Sequence, residues 1–184
     1  NTATARSLKE AQSQYNIPII GVIEAGARTA AYSTKNKIVG VIGTEGTISS
    51  KSYNVEIEKL DKDIKIVSKA CPLFVPITEE GWANTEVAYL TAKEYLKELL
   101  DQGIDSLVLG CTHYPILKRT IGKVVGEEIK LVNPAKETAK DLYDILEKQD
   151  ILRTVNKNNP IYEYYVSDIP EKFASIGQQF LKRY

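Results

Sequence analysis

The sequence predicts an α/β fold in which parallel strands are flanked by helices. Short apolar runs alternate with longer segments of helical character along the chain, and this alternation is typical of a parallel sheet with helices on both faces. Residues 106–117 (SLVLGCTHYPIL) contain one complete strand, loop and helix start. The sequence contains no short internal repeat, low-complexity tract or block of like charge that would indicate another architecture.

Strands are predicted where short apolar runs are rich in β-branched or aromatic residues. The run SLVL is the clearest, because it ends at the glycine of a loop. The run IYEYYV near the C-terminus has the aromatic and β-branched composition that strands favour. In chain order, the predicted strands are residues 17–23, 37–42, 64–67, 106–109, 129–132 and 161–166.

Helices are predicted from apolar periodicity and from the residues at their ends. Residues 85–101 are the clearest case, with apolar side chains at helical spacing and Gly103 as a natural C-terminal stop. Pro115 and Pro134 each fit the first turn of a helix, where a missing N–H costs nothing. In chain order, the predicted helices are residues 3–11, 24–34, 48–60, 85–101, the segment from Pro115, 135–147 and 169–183; residues 43–47, 74–81 and 150–160 are predicted loops.

The composition is that of an ordinary globular protein. Of the 184 residues, 43% are hydrophobic and 26% are charged, and Lys plus Arg equals Asp plus Glu at 24 each. A net charge of zero gives no electrostatic case for binding nucleic acid or an anionic membrane. No apolar run approaches the ~20 residues that span a bilayer. Two cysteines without a pairing framework favour a reducing cytoplasm.

The loop at residues 110–114 is the best candidate for chemistry. It contains Cys111, which is one of two cysteines, and His113, which is the single histidine. The loop lies at the carboxyl end of a predicted strand, where open α/β sheets bind ligands. A helix that starts just after the loop would favour a thiolate at Cys111. The alternative is that Cys111 is a small buried hydrophobe and His113 a structural loop residue.

The stretch GCTHYP closely resembles the second catalytic loop of the glutamate racemases, which interconvert L- and D-glutamate. Four more stretches agree with that family in order and spacing, and the resemblance extends from Asn1 to about residue 182. These stretches are residues 1–5 (NTATA), 21–27 (GVIEAGA), 43–49 (GTEGTIS) and 70–76 (ACPLFVP). Five motifs in register identify the chain as resembling that family.

The resemblance implies two similar α/β domains of the Asp/Glu racemase type that face each other. On this expectation, residues 24–133 form a complete second domain. Residues 1–23 and 134–184 would be the remainder of a discontinuous first domain, which is incomplete here because its opening strands are missing.

The resemblance also implies a reaction without a cofactor, in which one thiol stands on each face of the substrate Cα. No Gly-rich phosphate loop argues for pyridoxal phosphate. Cys111 would be one thiol, and its partner would be the cysteine that stands just before Asn-Thr-Ala in the family. That position precedes Asn1, so the chain as given is expected to bind poorly and not to turn over. Cys71 is the alternative partner, although its place after a buried strand favours a packing role.

Further site residues follow from the family motifs. His113 matches a histidine that assists proton transfer at Cys111, and Glu79 matches an acid near the same thiol. The assignment of Glu79 could shift to the neighbouring Glu80, and a solvated surface carboxylate is the other alternative for Glu79. For Thr47 the alternative is a plain helix cap. Glu24 is left out of the catalytic set, and Arg28 is interpreted as a surface residue. The expected catalytic residues are Cys111, His113 and Glu79; the expected substrate-binding residues are Asn1, Thr2, Thr44, Thr47, Thr112 and His113.

Family membership would make glutamate the substrate and supply D-glutamate for peptidoglycan. It also implies a cytoplasmic homodimer. No metal site is expected, because two cysteines 40 positions apart and one histidine lack the spacing of a zinc site, and the neutral composition predicts no nucleic-acid or membrane partner. Three alternatives stay open: a related aspartate or hydantoin racemase, a non-catalytic amino-acid-binding protein, and a hydrolase with Cys111 as nucleophile and His113 as base. The hydrolase is disfavoured because residues two apart on a tight loop seldom face each other.

Overall fold

A computed structural model describes residues 1–153, 161–166 and 170–181. Its internal contacts divide the chain into two units, Asn1–Leu142 and Tyr143–Tyr184. The expected domain division at residues 24 and 133 stays a prediction.

The first unit is built on a parallel sheet, which confirms the predicted α/β class. Within the described residues the sheet has four strands: β1 (Ile38–Gly43), β2 (Lys65–Ala70), β3 (Ser106–Gly110) and β4 (Lys130–Val132). Their order is β2-β1-β3-β4, and every neighbouring pair is parallel. The two central strands, β1 and β3, therefore end side by side at the same edge of the sheet.

Helices connect these strands. A short 3₁₀ helix at Tyr114–Leu117 follows β3 and leads directly into a further helix. The α-helices of the first unit are α1 (Thr2–Gln14), α2 (Val22–Ser33), α3 (Glu45–Ser49), α4 (Ser52–Leu60), α5 (Phe74–Glu79), α6 (Glu86–Asp101), α7 (Lys118–Val125) and α8 (Pro134–Lys148), the last of which continues into the second unit.

The sheet separates two hydrophobic clusters, because successive side chains of a strand point to opposite faces. Val39, Val41 and Val108 pack with apolar residues of α2 and α4 on one face. Leu107 and Leu109 pack with α5, α6 and α7 on the other face. The short β1–α3 and β3–3₁₀ connections are thereby fixed at the carboxyl edge of a sheet that is covered on both faces.

The predicted strand at residues 17–23 is wrong. Ile17 and Ile20 are 66% and 37% exposed, and no strand in the described part of the chain pairs with them. The side-chain amide of Gln12 instead donates to the Ile19 carbonyl at 2.9 Å. Val22 and Ile23 begin α2. An apolar run becomes a strand only where a neighbour supplies its backbone hydrogen bonds.

The second unit contains α9 (Pro170–Leu181), which agrees with the predicted closing helix over the residues described. The predicted strand at residues 161–166 is wrong, because this segment has no regular structure and Ile161 is 87% exposed. Its aromatic composition suits a strand, but no described strand lies beside it. Residues 154–160 of the predicted 150–160 loop, and residues 169, 182 and 183 of the closing helix, lie outside the described residues.

Two other segments differ from prediction. The predicted loop at residues 74–81 contains the helix α5, whose apolar Phe74 and Ile77 are buried in the core. The predicted helix at residues 48–60 is divided into α3 and α4, with Lys51 in a left-handed conformation at φ 53° between them. Helix α3 starts at Glu45, so the predicted loop at residues 43–47 is reduced largely to Thr44.

Candidate active site

The two central strands bring Thr44 and Cys111 together. Gly43 of β1 is paired in register with Gly110 of β3, so the next residue of each strand stands at the same carboxyl edge. A Cβ added at Gly110 would lie 2.6 Å from the Ile42 carbonyl oxygen. Glycine at position 110 therefore permits the close approach of β1 and β3 directly below the two side chains.

Cys111, His113 and Glu79 form a connected series of side chains. The Cys111 Sγ lies 3.8 Å from His113 Nδ1, and His113 Nε2 lies 3.3 Å from Glu79 Oε1. A histidine that donates Nε2–H to the carboxylate leaves Nδ1 as an acceptor towards the thiol. The structure thus brings the three expected catalytic residues together, with Glu79 rather than Glu80 in the recorded contact.

The expectation that residues two apart on this loop would not face each other is wrong. The Tyr114 N–H donates to the Cys111 carbonyl at 3.2 Å, and this turn carries the His113 ring back over the cysteine. Thr112 is exposed, and its hydroxyl lies 3.3 Å from the same His113 Nδ1. Cys111 and Thr112 therefore share one ring nitrogen.

Burial dominates the electrostatics of Cys111, which is 8% exposed. Desolvation raises the pKa of its thiol above the ordinary value, because a thiolate is poorly solvated there. Several groups oppose this shift without cancelling it. They are the His113 N–H, the Thr112 hydroxyl and the Tyr114 N–H. The N–H groups that follow the strand do lower the pKa of Cys111, as a helix start there would, but desolvation raises it by more.

Three threonine hydroxyls face one another at the carboxyl end of β1. Thr2 Oγ1 lies 2.9 Å from Thr44 Oγ1 and 3.1 Å from Thr47 Oγ1, and the two latter atoms are 3.1 Å apart. Thr44 also caps α3 by accepting a hydrogen bond from the Thr47 N–H at 3.3 Å. The start of α1 therefore meets the start of α3, and the expected substrate-binding residues Thr2, Thr44 and Thr47 are brought together.

Tyr53 is a residue that sequence reasoning missed. It lies near the start of α4 with its ring buried in the core, and its hydroxyl donates to Asn1 Oδ1 at 2.5 Å. Burial, with a smaller contribution from Cys111, raises the pKa of Tyr53, so its phenol stays protonated. From the sequence, a tyrosine at an apolar helix position is expected only to pack in the core. A buried tyrosine hydroxyl also needs a hydrogen-bond partner, however, and this need is the signal that could have identified Tyr53.

Cys71 belongs to the core rather than to the site. Its side chain is fully buried, and burial raises the pKa of the thiol to about 12. The Tyr114 hydroxyl donates to the Cys71 carbonyl at 2.8 Å, which ties the residue into the fold. These contacts agree with the packing role expected from its position.

The remaining charged candidates lie elsewhere. Arg28 forms a two-oxygen ion pair with Asp141 at 2.6 and 2.7 Å on the surface.

No group of three or more His, Cys, Asp or Glu side chains in the described residues is placed to hold a metal. Over residues 1–153, 161–166 and 170–181, no helix combines the length and apolarity that membrane crossing requires.

Proteins of similar sequence are described as racemases. A family profile described as Asp/Glu/Hydantoin racemase matches residues 1–142. A glutamate racemase of Geobacter metallireducens is 50% identical over 181 residues, which are 98% of this chain and 67% of the relative. A glutamate racemase of Neisseria meningitidis serogroup A is 45% identical over 181 residues, which are 98% of this chain and 66% of the relative. The chain thus spans about two thirds of the length of these relatives.

Solved structures agree with the sequence relatives. A glutamate racemase isoform of Bacillus anthracis superposes with a TM-score of 0.91 at 38% identity, over 98% of this chain and 67% of the other. A glutamate racemase of Francisella tularensis, crystallised with D-glutamate, superposes with a TM-score of 0.89 at 40% identity, over 98% and 66% of the two chains. The chain therefore belongs to the Asp/Glu/hydantoin racemase family and, within it, to the glutamate racemases.

Proposed function

We propose that the protein to which this chain belongs interconverts L- and D-glutamate by moving the Cα proton without a cofactor. The observation that carries the proposal is the series Cys111–His113–Glu79, set beside the threonine hydroxyls at one sheet edge. The names of the similar proteins support glutamate as the substrate, including one glutamate racemase crystallised with D-glutamate.

Cys111 supplies one of the two groups that the reaction needs. As a thiolate it removes the Cα proton from one face of glutamate, and a second thiol donates its own proton to the opposite face. The charge balances, because one thiolate becomes a thiol while the other thiol becomes a thiolate. His113 Nδ1, 3.8 Å from the Cys111 sulfur, accepts the thiol proton to form the base. After the transfer Cys111 keeps the proton taken from Cα, His113 releases its proton to solvent, and the second thiolate takes up a proton from solvent.

The substrate carboxylate needs hydrogen-bond donors. Thr2, Thr44 and Thr47 supply hydroxyl groups that exchange their mutual hydrogen bonds for bonds to the ligand. Asn1 and Thr112 lie at the start of α1 and in the Cys111 loop, and they complete the proposed binding set. Glu79 holds the His113 ring by its Nε2 side and acts on the reaction through that residue.

The wider role is proposed on the resemblance. The second thiol is the cysteine that precedes the Asn-Thr-Ala motif in the family, so turnover is proposed for the whole protein. D-glutamate from the reaction enters peptidoglycan. The protein is proposed to act in the cytoplasm as a homodimer.

One observation favours a second candidate function. The 3.8 Å contact between Cys111 and His113, with Glu79 on the other ring nitrogen, is also the order of nucleophile, base and orienting acid in a thiol hydrolase. Burst release of an acyl product would favour that reaction. Two further alternatives differ from the proposed function in measurable ways. An aspartate or hydantoin racemase would act on a different substrate, and a non-catalytic binding protein would show no turnover.

The testing experiment is a racemisation panel with the full-length natural protein. L-glutamate, D-glutamate, L-aspartate and a 5-substituted hydantoin are incubated without pyridoxal phosphate, and loss of optical activity is followed by circular dichroism. We expect both glutamate enantiomers to approach a racemic mixture and the other compounds to stay optically active. Faster racemisation of aspartate or the hydantoin would replace the proposed substrate, and binding without racemisation would favour the non-catalytic reading.

A further inference from the structure

Asn1 is held by a residue that is distant in the sequence. The hydroxyl of Tyr53 donates to Asn1 Oδ1 at 2.5 Å, across 52 positions of the sequence. Asn1 precedes α1, whereas Tyr53 lies on α4, which packs against the sheet. The bond therefore ties the start of α1 to the core beneath Cys111.

The Tyr53 ring has little freedom to move. A Cβ placed at Gly26 of α2 would lie 3.2 Å from Tyr53 Cε1, and one placed at Gly110, just before Cys111, would lie 3.1 Å from Cε2. The ring thus fills a slot between α2 and the end of β3 that glycines leave open. A ring fixed in this way places its hydroxyl at one point.

The hydrogen bond selects one of the two orientations of the Asn1 amide. A buried phenol that stays protonated must donate its hydrogen, and Asn1 Oδ1 is the acceptor that it reaches. The Asn1 Nδ2 group makes no hydrogen bond with the described part of the chain. Its two N–H donors are therefore available to an acceptor outside the protein.

We propose that Tyr53 is a positioning residue that fixes the Asn1 amide with its NH₂ group towards the substrate carboxylate. The inference rests on the proposed glutamate racemisation, because that function provides the carboxylate. An amide flipped the other way would present a carbonyl oxygen, which repels a carboxylate. Tyr53 acts through Asn1 and has no contact with the reacting Cα.

The test is a double-mutant cycle in the full-length protein with Tyr53→Phe and Asn1→Ala. Tyr53→Phe keeps the ring and removes only the hydroxyl. We expect the KM for L-glutamate to rise about 3- to 10-fold with little change in kcat, since the lost interaction binds substrate and transition state alike. In the Asn1→Ala background, Tyr53→Phe should raise KM no further.

Tyr95→Phe is the matched control. Its hydroxyl also makes one hydrogen bond, from the Leu73 N–H at 3.2 Å, and this bond does not involve Asn1. We expect a similar fall in melting temperature for Tyr53→Phe and Tyr95→Phe, with KM unchanged in the control.

The outcomes separate the inference from the function on which it rests. An unchanged KM in Tyr53→Phe, or an equal rise in both Asn1 backgrounds, overturns the positioning role while glutamate turnover stands. No glutamate turnover by the unsubstituted protein overturns the proposed function and the positioning role together.

Discussion

In the proposed reaction, the chemistry depends on a cysteine that the fold buries and a histidine that the loop turns back over it. Burial alone makes the Cys111 thiolate costly. The His113 and Tyr114 N–H groups and the Thr112 hydroxyl reduce that cost, and the His113 ring offers an acceptor for the proton. The sulfur is therefore a protonated thiol at rest with an acceptor 3.8 Å away.

Thiol alkylation tests this ionisation. Because the pKa of Cys111 is raised, its thiolate fraction at neutral pH is below that of a free thiol and grows as pH rises. We expect the iodoacetamide rate at Cys111, followed by mass spectrometry, to have its midpoint above the ~8.5 of a free thiol. In the Cys71→Ser variant, the alkylation rate of Cys111 should have the same midpoint. Cys71 should contribute little to the reaction in the unsubstituted protein, since it is buried with a pKa of about 12. A midpoint below 8 in that variant would contradict the assignment.

Substitutions of the residues around Cys111 separate their roles. His113→Gln removes the proton acceptor, and we expect kcat to fall by about 10²- to 10⁴-fold. Glu79→Gln keeps the shape but weakens the hold on Nε2, so we expect a smaller fall. Glu80→Gln is the matched control and should keep full kcat when racemisation of glutamate is followed by circular dichroism. Equal losses in the Glu79 and Glu80 variants would remove Glu79 from its role.

At the scale of elements, the site depends on the close approach of β1 and β3. An alanine at Gly110 would place its Cβ 2.6 Å from the Ile42 carbonyl, and backbone cannot yield cheaply there. We expect Gly110→Ala to lower the free energy of unfolding by about 1–3 kcal/mol, measured by urea denaturation.

Gly122→Ala is the control for Gly110→Ala. Gly122 lies in α7, where an added Cβ would meet only Leu131 at 3.8 Å. Alanine is the better helix former by about 1 kcal/mol, so we expect this variant to be more stable. A Gly110→Ala variant as stable as the unsubstituted protein would show that the strand edge has room for a side chain.

Elements with strong local signals were predictable from sequence. Helix α6 has apolar periodicity, and Thr85 caps it by accepting from the Ala88 N–H at 3.4 Å. Strand β3 is a short apolar run closed by a glycine. The segment at residues 17–23 has the same apolar character but no strand neighbour among the described residues, and such a neighbour is not encoded locally.

The candidate site was predictable only in the part that local sequence signals encode. Cys111 and His113 are two positions apart in a recognisable motif, so their proposed role followed from resemblance. Their 3.8 Å contact depends on a turn that spacing alone did not reveal. The bond between Tyr53 and Asn1 joins residues 52 positions apart, and only the folded chain brings them together.

At the scale of the whole molecule, one unit contains every residue of this chain that is assigned to the proposed site. Asn1–Leu142 includes the hydroxyl cluster, the Cys111 loop and the helix that bears Glu79. The chain covers about two thirds of its glutamate racemase relatives. The proposed function therefore places one proton-transfer group, Cys111, in this unit and the full reaction in the whole protein.

Exchange of the glutamate Cα proton with D₂O tests the central claim most directly. The full-length protein and its Cys111→Ser variant are incubated with L-glutamate without cofactor, and the Cα–H signal is followed by proton NMR. We expect exchange by the unsubstituted protein and a loss of at least about 10²-fold in the variant, with its circular dichroism unchanged. Exchange at the full rate in Cys111→Ser would contradict the account.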